Sequence, residues 1–426
     1  MAERIIFHID VNAAFLSWEA AYRIQILGED LDLRTIPAAI GGDIEKRKGI
    51  ILAKSMPAKA YNIQTGEPIT SALIKCPQLM LVKPNYALYE ACSRDFIKLL
   101  REYSPLVEQY SIDEAFMDMT GTRQIYGSPL SIAQVIKDRI EKELGFTVNI
   151  GISSNKLLAK MASDFKKPNL VHTLFPYEIK KKMWPMPVRE LFFVGRGAEE
   201  KLKRLGIRTI GDLACADVKL LRTYLGKQGQ VIHQYANGVD LGEVTAMRAP
   251  NKGYGNSMTI PYDVSSQEEA EKILLSLSET VGTRLRRDGA KASCISVSLV
   301  NTFFEQSTRQ MTLLVPTNAT HQLYQCACKL LRELWDFKMP IRQLGVHTSK
   351  VTYEANEQCT LFDTPEDRKY GKLDQAIDTI RQKFGEDAIM RSTFVGGKLD
   401  HMAGGISKEK KTGITYCEAY HKQEGI

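Results

Sequence analysis

Two strand-like runs that each reach a carboxylate constrain this chain more than any other feature. Arg4-Ile-Ile-Phe-His-Ile-Asp10 reads as a buried strand that finishes on Asp10. Far downstream, Val107 to Met119 alternates apolar and polar residues and contains Ser111-Ile-Asp-Glu-Ala115. That pattern places Asp113 and Glu114 in or beside a turn, or at a strand end. Two such strands side by side would converge Asp10, Asp113 and Glu114 on one sheet edge. Clustered carboxylates repel one another unless a divalent cation neutralises them, and hard oxygen ligands select Mg²⁺ or Mn²⁺. Such a site can clamp the attacking and leaving oxygens of a phosphoryl transfer. The competing reading is that each acid merely caps a surface turn, the usual fate of an isolated Asp-Glu pair. The surrounding sequence decides between them.

At 426 residues and 44% hydrophobic, the chain can build several cores, and length alone predicts about three domains. Its net charge of +7 is a mild basic excess, compatible with nucleic-acid binding. The excess is concentrated. Lys180 to Arg208 holds nine basic residues against three acids, a local balance of +6. A second basic cluster is Arg284-Leu-Arg286-Arg287. The eight cysteines form no CxxC pair, which argues against a zinc site, and most read as small core residues of a reducing compartment. No run approaches membrane-spanning length and the N-terminus lacks a signal-peptide pattern, so a cytoplasmic protein is expected.

Residues 1–165 mix strands and helices and predict an α+β domain. Helices are expected over Ala13 to Ile26 and Ala87 to Tyr103, and a strand over Thr147 to Ile152. After that strand, Leu157, Leu158, Met161, Ala162 and Phe165 form one face of a helix. From Lys166 to about residue 240 the chain reads as helical and basic. Within it Val194-Gly-Arg-Gly197 opens a helix that ends at Leu205-Gly-Ile207. Glycines at a helix N-terminus expose backbone N–H groups to a phosphate, and the local charge favours that over an ordinary tight turn. Gly195, Gly197, Lys201, Lys203 and Arg204 are therefore candidates for sequence-independent DNA contacts. Beyond a polar linker at Glu243–Gly253 the predicted order is β-α-β-β-α-β, a ferredoxin-like succession. Arg284, Arg286, Arg287 and Arg309 could line a DNA groove on it, the alternative being a solvated helix end. A last amphipathic helix runs through Leu373, Ala376, Ile377, Ile380 and Phe384, followed by a Gly/Lys-rich tail expected to be mobile.

Together these residues resemble the Y-family (translesion) DNA polymerases, in particular the bacterial polymerase IV/V branch, over roughly residues 4 to 362. The resemblance rests on Ile9-Asp10, on Ser-Ile-Asp-Glu-Ala at 111–115, and on Gly151-Ile-Ser-Ser-Asn-Lys156, Ala159-Lys160 and Lys167-Pro-Asn169, in family order and spacing. It implies a right-hand polymerase with a ferredoxin-like little finger. The palm would span 1–26 and 71–165, the fingers 27–70, the thumb 166–242 and the little finger 243–355; a clamp-binding peptide and tail would fill 356–426. By position, Asp10, Asp113, Glu114 and the carbonyl of Val11 would hold two Mg²⁺ ions, for which Mn²⁺ can substitute. Phe15 falls at the steric gate that rejects ribonucleotides, the alternative being a core aromatic. Lys167 matches a lysine on the incoming triphosphate. Met56 and Lys59 stand where the family usually carries Tyr and Arg. Lysine keeps the charge there but loses the planar fork. Asn12 stands where an acid is common.

Gln358-Cys-Thr-Leu361-Phe362 resembles the bacterial sliding-clamp-binding peptide. The resemblance implies primer–template DNA, deoxynucleoside triphosphates and the sliding clamp as partners of a monomeric enzyme in error-prone synthesis across damaged DNA. Two alternatives stand beside this reading: an inactive family member acting as a repair scaffold, against which the intact carboxylates argue, and a nucleotidyl cyclase, which would need neither the basic hairpin nor the clamp peptide.

Overall fold

The computed structural model describes residues 4–43, 47, 49–247, 249–353, 365–397 and 399–403. Gln358, Leu361 and Phe362 lie outside the described residues. Among the described residues the chain divides into two compact units, one of residues 4–42 and 50–247, the other of residues 43, 47, 49 and those from Ala249 on.

The first unit starts with β1 (Ile6–Val11), in which Ile6, Phe7 and Ile9 are fully buried. The chain leaves it through Ala13, which adopts a left-handed φ of 49°, and enters the helix Ala14–Gln25 at once. That conformation is costly for a residue with a Cβ, and here it turns the helix away directly after the carboxylate-bearing strand end. β2 (Ala38–Gly41), β3 (Ile51–Lys54) and β4 (Met80–Val82) form a small separate sheet in the order β3-β2-β4, with β2 and β4 parallel. The sheet of the expected fingers therefore reaches residue 82, past the expected boundary at 70, because Met80–Val82 completes it.

β5 (Val107–Gln109), β6 (Glu114–Asp118), β7 (Val148–Ser153) and β8 (Val171–Thr173) join β1 in a five-stranded sheet of order β5-β6-β1-β7-β8. β8 draws the first residues of the expected thumb into this sheet. Side chains alternate across a strand, and the two faces differ sharply. Phe7, Ile9 and Val11 of β1, Ala115 and Met117 of β6, and Val148, Ile150 and Ile152 of β7 share one large core with the helices Ala14–Gln25, Tyr86–Arg101 and Pro129–Leu144. The other face carries Ile6, His8 and Asp10, and against it lies the helix Lys156–Ser163, whose Ala159 packs with Ile6 and Phe116. Gly151 makes that approach possible. A Cβ at this position would lie 1.9 Å from the Ala159 carbonyl oxygen and 2.4 Å from the Ser163 nitrogen.

Residues 176 to 236 are helical, as expected, and pack around Leu202, Ile210, Leu213, Leu221 and Ile232. In the second unit β9 (Gly253–Val264), β10 (Lys291–Asn301), β11 (Gln306–Thr317) and β12 (Ile341–Thr352) alternate with the helices Gln267–Arg287 and Thr320–Leu334 in the β-α-β-β-α-β order. The strands pair antiparallel in the order β11-β10-β12-β9. Both helices contribute to a single core with the sheet.

The helix Pro365–Phe384 forms where one was expected, but its buried face differs. Leu373 and Phe384 are 45% and 67% exposed, whereas Asp374 and Arg381 are 3% and 6% exposed. Ion pairs to the 267–287 helix replace the apolar stripe: Arg286 meets Asp374 and Asp378 at 3.1 and 2.5 Å, and Glu279 meets Arg381 and Arg391 at 2.8 and 2.5 Å. Residues up to Ala403 belong to the same unit, since the Ser276 hydroxyl donates to the Asp400 carbonyl and accepts from the Ala403 N–H. Residues 404–426, the rest of the expected mobile tail, lie outside the described residues.

Candidate active site

Strand register brings the first two carboxylates together. β1 and β6 pair antiparallel with Asp10 directly opposite Glu114, so both side chains leave the same face. Asp113, one residue earlier, closes the β5–β6 turn, and its carbonyl accepts from the Val11 N–H at 2.9 Å. The Ser111 hydroxyl donates to Asp113 Oδ1 at 2.6 Å. Asp10, Val11, Asp113 and Glu114 thus occupy one end of the sheet, where the sequence placed them.

Each of the two opposed carboxylates already faces a cation. Lys167 Nζ lies 2.7 Å from Asp10 Oδ1 and 2.9 Å from Asp164 Oδ1. Lys160 pairs with Glu114 Oε2, and His8 Nε2 reaches the same oxygen at 2.9 Å. Burial pushes the Asp10 carboxyl above its ordinary range, and Lys167 only partly offsets that. Glu114 goes the other way. Burial opposes its ionisation, yet hydrogen bonds from His8 and Lys160 and the Lys160 charge outweigh it and hold the carboxyl at about 2. The Lys167 ammonium is raised: burial would lower it, but the Asp10 and Asp164 charges prevail. Burial lowers His8.

Among the described residues no three acidic, imidazole or thiol side chains converge on a single point. What the site offers is a hard oxygen donor set, from Asp10, Asp113, Glu114 and the Val11 backbone, whose charge is met by lysines at its rim. That chemistry fits Mg²⁺ or Mn²⁺.

The other expected residues divide. Phe15 is half-buried, and its ring stacks on Tyr89 with centroids 4.6 Å apart and planes 8° from parallel. Met56 and Lys59 are exposed on the short helix Met56–Ala60, which Ser55 caps by accepting from the Ala58 N–H. The glycine-opened helix is present as Arg196–Arg204, and a Cβ at Gly195 or Gly197 would meet nothing within 4 Å, so its N-terminus is open. Lys201, Lys203 and Arg204 are exposed on it, with Lys203 paired to Glu199 at 2.7 Å.

Arg286 corrects an expectation. Its side chain is 9% exposed, held by Asp374 and Asp378 and donating to the Asn318 carbonyl, so it secures the last helix instead of lying open on a groove. Arg284 is partly buried, donating to the Gly255 carbonyl over the Tyr254 ring. Arg287 and Arg309 remain exposed, beside Asp288 and Glu333.

His8, Lys160, Ser163 and Asp164 join the site without a role that the motifs alone imply. The signal was present: His8 is two residues before Asp10 on a strand, hence on its face, and Lys160 and Ser163 are one turn apart on the helix that covers that face.

Residues 9–164 match the impB/mucB/samB family, residues 251–361 its C-terminal domain, and residues 190–240 the DNA polymerase-iota thumb domain. DNA polymerase IV of Clostridium acetobutylicum is 42% identical over 392 residues, which cover 92% of this chain and 98% of that protein. The chain belongs to the Y family of DNA polymerases. DNA polymerase IV 2 of Bacillus subtilis is 36% identical over 92% of this chain and 95% of its own length. A solved Y-family DNA polymerase chimera shares the fold, with a TM-score of 0.71 and 21% identity over 82% of this chain and all of that one. As a Y-family member this polymerase is a DNA-directed enzyme of translesion synthesis that acts on DNA and nucleotides, and the inactive-scaffold alternative is not favoured. Among the described residues no helix is long and apolar enough to cross a membrane.

Proposed function

We propose that this Y-family polymerase extends a primer through a two-metal site built from Asp10, Asp113, Glu114 and the Val11 carbonyl. The observation that carries the reading is the direct opposition of Asp10 and Glu114 across β1 and β6. Two Mg²⁺ ions held there would lower the pKa of the primer hydroxyl and neutralise charge on the departing pyrophosphate, and Mn²⁺ would substitute. The protein's own groups do the rest. Lys167, already beside Asp10, would hold a phosphate oxygen of the incoming nucleotide, with Met56 and Lys59 on the fingers side of that pocket. Phe15, backed by Tyr89, would crowd the sugar 2′ position. The open N-terminus at Gly195 and Gly197, with Lys201, Lys203 and Arg204, would hold the duplex backbone, and the exposed Arg287 and Arg309 of the C-terminal unit would each be free to meet a phosphate. Gln358, Leu361 and Phe362 would dock on the sliding clamp, which tethers a monomeric cytoplasmic enzyme to the primer end. Primer extension on a short template tests the reading. Chelation should stop insertion, and Mg²⁺ or Mn²⁺ should restore it; extension that persists in chelator would refute it.

A further inference from the structure

His8 is fully buried, and both of its ring nitrogens are engaged. Nε2 lies 2.9 Å from Glu114 Oε2 and Nδ1 lies 2.7 Å from Ser163 Oγ. The ring leans on Phe116 at 4.6 Å between centroids. Ser163 is placed by the 156–163 helix, and with Nε2–H donating to Glu114 its single hydroxyl proton goes to Nδ1 of His8. Across the sheet His8 stands opposite Gly151, and the missing Cβ there lets the 156–163 helix bring Ser163 this close. Three elements thus fix one imidazole, and that imidazole shares the hold on Glu114 Oε2 with Lys160. A buried apolar residue would fill this space more cheaply, since every polar atom placed there needs a partner.

We propose that His8, braced by Ser163, is the positioning residue that orients the Glu114 carboxylate toward its cation and so sets the metal requirement of nucleotide insertion. The inference rests on Glu114 being a cation ligand. Partners that orient a ligating side chain commonly change metal affinity by about 10- to 100-fold when removed. A carboxylate free to rotate must be ordered by the ion itself.

The test is Mn²⁺ binding measured by electron paramagnetic resonance, without chemistry, on protein bound to a dideoxy-terminated primer–template and nucleotide. His8→Leu should weaken Mn²⁺ binding about tenfold or more and raise the Mg²⁺ concentration for half-maximal insertion in parallel. His8→Gln, which keeps a donor near Glu114, should recover part of the loss. A folded His8→Leu protein that binds Mn²⁺ like the wild type would overturn the proposal and leave His8 a packing residue. Should His8→Leu fail to fold, Ser163→Ala decides, since it removes a single oxygen. Weaker Mn²⁺ binding is expected, and unchanged binding would overturn the proposal. Glu114→Gln in the same titration separates the two levels. If it binds Mn²⁺ normally, the ligand assignment itself falls; if it loses Mn²⁺ while His8→Leu does not, only the positioning role falls.

Discussion

Arg381 Nη1 lies 2.8 Å from Glu279 Oε2, with both side chains almost wholly buried, and this pair fastens a segment beyond the matched family domains to the C-terminal unit. Burial would raise the Glu279 carboxyl, but the Arg391 charge and hydrogen bonds from Arg381 and Arg391 hold it below its ordinary 4.5. A depressed carboxylate contributes stability that is present above the unfolded pKa and is lost as pH falls through the folded value. Arg381→Met removes one partner of a buried pair and should cost about 3 kcal/mol. It should also shift acid unfolding of this unit to higher pH. Thermal melts between neutral and acidic pH check both, and an unchanged melt would mean that the segment is held by something else.

Phe15→Ala should admit ribonucleotides, raising their insertion relative to deoxynucleotides by on the order of 10- to 100-fold, the scale of discrimination by steric fit. Losing the stack on Tyr89 should also cost some stability, about 2 kcal/mol for a half-buried ring. Competition between the two nucleotide types at one template position is the measurement. A stability loss with unchanged sugar discrimination would make Phe15 a core residue only.

Neutralising Lys201, Lys203 and Arg204 should weaken binding to all DNA sequences alike and flatten the salt dependence by about one counterion per charge removed. The Lys203–Glu199 pair will not mask this, because exposed pairs contribute little. Fluorescence anisotropy at several salt concentrations and on two unrelated sequences is decisive. A loss confined to one sequence would contradict a backbone grip.

How much of this was legible follows from the residues. The 267–287 helix and the β-α-β-β-α-β succession were readable because long elements impose a clear period. β4 and β8, three residues each, are too short to impose one. The convergence of Asp10 and Glu114 was readable because each sits at a strand end, and register then follows from the alternation of the pleat. The lateral strand order of the C-terminal sheet depends on pairing partners that no local pattern records. Arg286 was misread because a basic cluster at a helix end looks like a solvated or DNA-facing patch. Its acidic partners, Asp374 and Asp378, lie on a helix whose sequence suggested an apolar face. The two-residue spacing puts His8 on the Asp10 face, but nothing local records that Glu114 and Ser163 are what it meets there.

The measurement that bears most directly on the account is single-nucleotide insertion by Asp113→Asn, paired with its primer–template affinity. Losing one ligand charge should reduce insertion by at least about a hundredfold, while DNA binding stays near the wild-type level because the thumb and C-terminal unit are untouched. Asp10→Asn and Glu114→Gln should behave alike. Substantial extension by Asp113→Asn, with DNA binding intact, would contradict a metal site at the end of the β1–β6 pair.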